Sequence, residues 1–177
     1  MEVGAWTPFV YGKMGKHALL SKLSGYNRAA QHAPWFVLVD LDNDFECAPP
    51  FRARHLGNPS PHMCFRVAVR EAEAWLLADR ERFSRFLGVS ARRLPREPDD
   101  VSDAKRTVVE LARHSSKRTI REEIVPRPGS GLSEGPLYTS SLTAFVVETW
   151  RPSEASRASD SLRRAIHRLG QLVAGGP

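Results

Sequence analysis

Three aspartates at alternate positions, Asp40, Asp42 and Asp44, close the apolar run Phe36-Val37-Leu38-Val39. In a strand, side chains two residues apart point to the same side of the sheet, so Asp40 and Asp42 would form a carboxylate pair. Open α/β sheets carry their sites beyond the C-terminal ends of parallel strands. Carboxylates, water and substrate phosphates are how Mg²⁺ is held in such places. A buried like-charged pair is costly alone, so a metal ion or a basic side chain is expected beside it. The plainer explanation is an acidic turn that ends a strand, because Asp and Asn favour turns and caps. Asp44 is a third candidate ligand, or a loop residue capping the next turn.

Glu71 and Glu73 stand where a second apolar strand gives way to a helix. Acids at a helix start complement its dipole, which is reason enough for them. In a functional reading one of them reaches the same metal site. Asp79 shares an apolar face with Trp75, Leu76 and Phe83, and a salt bridge to Arg80 or Arg82 is its expected role. The segment Gly12-Lys13-Met14-Gly15-Lys16-His17 lacks the spacer and the Ser/Thr of a nucleotide-binding P-loop, but it can form an anion-binding turn at a helix start. The loop from Arg127 to Gly135 holds glycines and serines whose N–H groups can form an anion nest; a plain flexible loop explains it equally. The histidines show no metal-ligand spacing.

The elements that must position these residues follow from periodicity. Thr7 to Tyr11 reads as a strand and Lys16 to Gln31 as one helix. Trp35 to Asp40 is a continuous apolar run, expected to be buried on both faces of a parallel sheet. Cys47 to Pro61 is expected to be loop, with one helical turn near Phe51 to Leu56. Met63 to Val69 reads as a second core strand, leading into one helix from Glu71 to Leu87 that Gly88 stops. Helices are expected over Asp103–His114, capped by Ser102 or Asp103, and over Thr119–Val125. Two more are expected, over Tyr138–Trp150 with Leu142, Phe145 and Val146 inward, and over Asp160–Val173 with Leu162, Ile166, Leu169 and Val173 inward. The basic face Arg163, Arg164, His167 and Arg168 of that last helix is expected to be solvated. Early alternation of strand and helix predicts an α/β fold, a small parallel sheet with crossover helices and a helical C-terminal half.

The chain has 177 residues, 41% of them hydrophobic and 26% charged, as one domain with one core would have. The expected layout is a core sheet over residues 7–87 and a helical flank over 102–173. No apolar run approaches the ~20 residues of a membrane span, and the first residues do not resemble a signal peptide. Cys47 and Cys64 are too far apart for a Cys-x-x-Cys pair and read as small apolar fillers of a cytoplasmic protein. The net charge of +6, mostly arginine, mildly favours a polyanionic partner.

Asp40-Leu41-Asp42, the run Arg70-Glu71-Ala72-Glu73-Ala74-Trp75-Leu76-Leu77-Ala78-Asp79, and Val125-Pro126-Arg127-Pro128-Gly129-Ser130-Gly131 occur in that order. Together they give a chain that resembles the bacterial Toprim-like family known as domain of unknown function 4276, often linked to phage-defence loci. The resemblance runs from about Val10 to Leu172. It implies a Toprim-like sheet in which Asp40 and Asp42 bind Mg²⁺ or Mn²⁺. It also implies that Glu71 or Glu73 assists in acid–base work on a phosphodiester. Lys16, Arg70 and Arg127 are then the phosphate-binding side chains. Members usually open with a further strand ending in a Val-Glu-Gly-like motif. Glu2 does not stand at a recognisable strand end, so the family's first catalytic glutamate is not carried over. The expectation is a start lacking one core strand and one acid/base group.

The function so implied is that of a metal-dependent nuclease-type protein acting on DNA or RNA, with a partner ATPase. A non-catalytic nucleic-acid or protein binding module of the same fold is the alternative. A haloacid-dehalogenase-type phosphatase, with Asp40 as nucleophile and Asp42 as acid, fits less well, because Asn43-Asp44 departs from its pattern and no downstream acidic motif is evident.

Overall fold

Trp35, Phe36, Val37 and Val39 are residues of high strand propensity, and in the computed structural model they lie in β1 (Trp35–Asp40). The structure describes residues 15–41, 45–68 and 71–175. β2 (Met63–Ala68) pairs with β1 in parallel, from Trp35 opposite Met63 to Asp40 opposite Ala68. Parallel neighbours need a crossover, and the connection carries α3 (Ala48–His55). The architecture is mixed α/β with a two-stranded parallel sheet among the described residues. The expected strand over Thr7 to Tyr11 lies outside them.

The chain divides into two compact units. The first takes in the chain through β2 and again from Ser161; the second is residues 70–160. In the first unit, α1 (Lys16–Ser21) and α2 (Leu23–Ala29) replace the single helix expected there. The break falls at Lys22, whose N–H bonds the Leu19 carbonyl at 3.1 Å, a three-residue step that tightens the turn. Val37, Val39, Phe65 and Val67 form one core face with Leu23, Ala30 and Phe51, and Tyr26 stacks on Trp35 at 5.0 Å. β1 is not buried on both faces: Val37 is 4% exposed, Phe36 38%. α3 has two turns where one was expected. Prolines fit the first turn of a helix, where no N–H is missed, and fully buried Phe51 anchors the rest. α10 (Asp160–Val173) has the expected bounds, and from Ser161 it belongs to the unit that holds the sheet. Its buried positions are Leu162, Ala165 and Leu172, and Val173, expected inside, is exposed.

The second unit is built around Leu77, Phe83, Leu87, Val108, Ile124 and Phe145. The helix expected over Glu71–Leu87 is two, α4 (Glu73–Ala78) and α5 (Arg80–Leu87). Asp79 separates them because its carboxylate caps the second, accepting the Arg82 N–H at 3.3 Å. Gly88 ends α5 in the left-handed conformation, φ 68°, as the sequence predicts. α6 (Ala104–Arg113) is capped by Asp103, which accepts the Arg106 N–H at 2.7 Å. α7 (Arg118–Ile124) and α8 (Tyr138–Glu148) follow. Between them Gly135 donates to the Ile124 carbonyl at 2.9 Å, so close that a Cβ would collide with the backbone of Glu123 and Ile124. In α8, Tyr138, Ser141, Leu142 and Phe145 are buried, while Val146, expected inside, is 38% exposed. A short α9 (Pro152–Ala155) precedes α10.

Candidate functional site

Asp40 is the last residue of β1, half-buried and opposite fully buried Ala68. The pairing continues one step further, where the Leu41 N–H donates to the Ala68 carbonyl at 3.0 Å. The Leu41 carbonyl in turn accepts the Lys16 ammonium at 3.1 Å, and the same ammonium stands 5.1 Å over the Phe51 ring. The structure thus brings Lys16, one of the expected phosphate-binding residues, to the end of β1. Asp42, Asp44 and Arg70 lie outside the described residues.

Alternation assigns Phe36, Leu38 and Asp40 to one face of β1, with Cys64, Arg66 and Ala68 opposite them on β2. Leu38 pairs with Arg66 and Asp40 is the next same-face position of β1, so Asp40 and Arg66 occupy diagonal register positions. Asp40 offers a hard oxygen donor. Mg²⁺ takes one or two carboxylates and completes its shell with water and phosphate oxygens, so the donor chemistry of this strand end fits it. Among the described residues no group of three or more His, Cys, Asp or Glu side chains is placed to hold a metal ion.

Arg66 was not singled out by the sequence reading, although a charged residue inside the apolar run of a core strand is itself a signal. Burial lowers its pKa, as do the nearby charges of Arg52, Arg168 and Arg164, and only Cys64 acts the other way. Cys64 is buried and its thiol is pushed up by burial, against Arg66, Arg168 and Arg52. Cys47, expected to be an apolar filler, is exposed.

Glu71, Glu73 and Arg127 belong to the second unit. Glu71 accepts the Lys105 N–H at 2.7 Å, in the first turn of α6. Burial pushes its carboxyl up, the Lys105 N–H opposes that, and Glu73 and Asp103 add to the rise. Glu73 accepts the Tyr138 hydroxyl at 3.0 Å. Burial and Glu73 push the Tyr138 phenol far up, so it stays a donor. Lys105 pairs with Glu134 at 3.0 Å and lies 5.5 Å over the Tyr138 ring. Arg127 is exposed, in a loop where Gly129 and Gly131 take positive φ of 77° and 70°.

The Asp79 partner is neither Arg80 nor Arg82 by side chain. Arg151 binds it with Nη2 to Oδ1 at 2.7 Å, and with Nε and the backbone N–H to Oδ2 at 3.1 Å each. Burial would raise this carboxyl, but the Arg151 and Arg82 hydrogen bonds hold it below the usual range. Local spacing cannot foresee a partner so distant in sequence.

Comparison with known protein families, with characterised proteins and with solved structures finds no match.

Proposed function

We propose that the protein is a metal-dependent, phosphodiester-acting protein of Toprim-like type, with Asp40 and Asp42 holding Mg²⁺ or Mn²⁺ at the end of β1. The observation that supports this is the shared sheet face of Asp40 and Arg66. These diagonal register positions carry a hard oxygen donor for a cation and a guanidinium fork for a phosphate. A bound divalent cation would polarise the phosphoryl oxygen and lower the pKa of its water. Lys16 and Arg66 would hold phosphate oxygens, with Asp44 as a further ligand. The substrate class in this reading is DNA or RNA, with an ATPase as partner, in a cytoplasmic phage-defence setting.

The test is calorimetric titration with Mg²⁺ and Mn²⁺ of the unmodified chain and of Asp40→Ala/Asp42→Ala. Binding lost in the double variant, with any nucleic-acid cleavage, supports the reading. Equal binding by both chains rejects it.

A non-catalytic nucleic-acid binding module is the second reading. It is favoured by the engagement of Glu71 with the Lys105 N–H and of Glu73 with Tyr138, bonds that give both acids structural work. Binding indifferent to Mg²⁺ and to Asp40 is its signature.

A further inference from the structure

Between Arg127 and Arg151 the sequence holds no lysine or arginine, although the chain carries 26 of them. This stretch leads into α8 and contains all of it. Four of the six large apolar side chains exposed among the described residues lie here: Leu132, Leu137, Val146 and Val147, the last 78% exposed. A single exposed apolar side chain needs no explanation, but a concentration of them marks a surface that another body covers.

The outer side of α8, within the second unit, has the shape to receive one. A groove of about 720 Å³ is lined there by residues from Glu134 to Glu148. Thr139, Thr143 and Val147 form one row of its wall at four-residue spacing, and Ser140, Ala144 and Glu148 form the next. The Thr143 hydroxyl donates to the Thr139 carbonyl at 2.7 Å, and the Ser140 hydroxyl to the Leu137 carbonyl at 3.0 Å. Both hydrogens are turned back onto the local backbone, so neither calls for a polar partner in the groove.

The two ends of the groove differ. Glu134 is answered by the Lys105 ammonium at 3.0 Å. Glu148 is exposed and has no hydrogen-bond or ion-pair partner among the described residues. It is the last residue of α8, where the helix dipole is itself negative, and no basic residue stands in the last turn. The nearest arginine in sequence, Arg151, is committed to Asp79 and Glu81. An acid at that end of a helix, with no cation assigned to it, is complementary to a cation brought from outside.

We propose that this groove docks an amphipathic segment of a partner protein, apolar along the face it lays on Thr143, Ala144 and Val147 and basic at the end that meets Glu148. Such helix-in-groove recognition draws its affinity from the apolar face and its orientation from the charge. A second copy of the chain fits less well, because pairing α8 with α8 brings no basic residue to either Glu148. The surface is independent of the metal site proposed at β1.

The experiment is fluorescence anisotropy of a labelled synthetic helix with leucines along one face and lysines gathered at one end, titrated with the full chain. The net charge of +6 repels such a peptide, so binding reports the groove and not the average surface. Glu148→Lys should weaken binding about fivefold. Val147→Asp, which sets a charge against the apolar face, should weaken it tenfold or more. Both positions are exposed, so thermal midpoints should stay where they are. Glu110→Lys makes the same charge change on the exposed side of α6 and should leave binding unaltered. The peptide with serines in place of leucines, or with glutamates in place of lysines, should lose its binding. No binding of the lysine-ended peptide at millimolar concentration would overturn the proposal, as would an equal loss in Glu110→Lys, which would show only the net charge. A chain that sediments as a dimer, and as a monomer with Val147→Asp, would assign the groove to a second copy and overturn the partner segment.

Discussion

Arg151 closes on Asp79 with both carboxylate oxygens engaged, and its Nη2 extends to Glu81 Oε2 at 2.8 Å. The Asp79 side chain is 1% exposed, so this pair joins the α4–α5 break to the start of α9 inside the second unit. Asp79→Ala removes the α5 cap and leaves the Arg151 backbone N–H without its acceptor. The expected loss is about 2 kcal/mol, read from denaturant midpoints. The Asp79 carboxyl is depressed in the folded chain. Its contribution is therefore complete above the ordinary aspartate pKa and disappears as pH falls through the lower folded value. An acid melt of Asp79→Asn against the unmodified chain should show the two curves converging only under strongly acidic conditions.

Glu71 has the opposite sign. Its folded carboxyl is raised, so the folded chain holds a proton that the unfolded chain has lost. Stability should fall as pH rises from the ordinary glutamate value through the raised one, and level off above it. Glu71→Gln keeps an acceptor for the Lys105 N–H and removes the titration. Thermal midpoints across this window should slope in the unmodified chain and be flatter in the variant. Parallel profiles would show that Glu71 is not the group responsible.

The two thiols should separate in kinetics. Cys47 is exposed, whereas Cys64 is 3% exposed and its pKa is raised by burial. Thiolate, not thiol, attacks a disulfide reagent. One equivalent should therefore react quickly with an aromatic disulfide under native conditions, and the second only on unfolding. Mass mapping should place the fast adduct on Cys47; a fast adduct on Cys64 would mean that its arginine neighbours outweigh burial.

The bounds of β1 and α10 and the start of β2 were legible because each is a run whose pattern matches its own period. The breaks at Lys22 and Asp79 were not, since both sit inside patterns that continue across them. At Asp79 the cause is a carboxylate drawn to cap one helix and to meet Arg151, and partners so remote leave no mark on local spacing. Val146 and Val173 show the same limit: helical periodicity marks a face, while neighbouring elements decide which end of it is covered. Of the candidate site, Asp40 and Lys16 were legible as chemistry-bearing residues. Arg66 was not legible, because an apolar strand shows its period more plainly than its exception.

The return of α10 to the sheet's own unit has a consequence for biosynthesis. About ninety residues separate β2 from Ser161, which at ribosomal speeds is several seconds or more. Residues 70–160 are contiguous and have their own core, so they can settle while the earlier strands still await their final helix. The half of the protein that is made first is thus the half that is finished last.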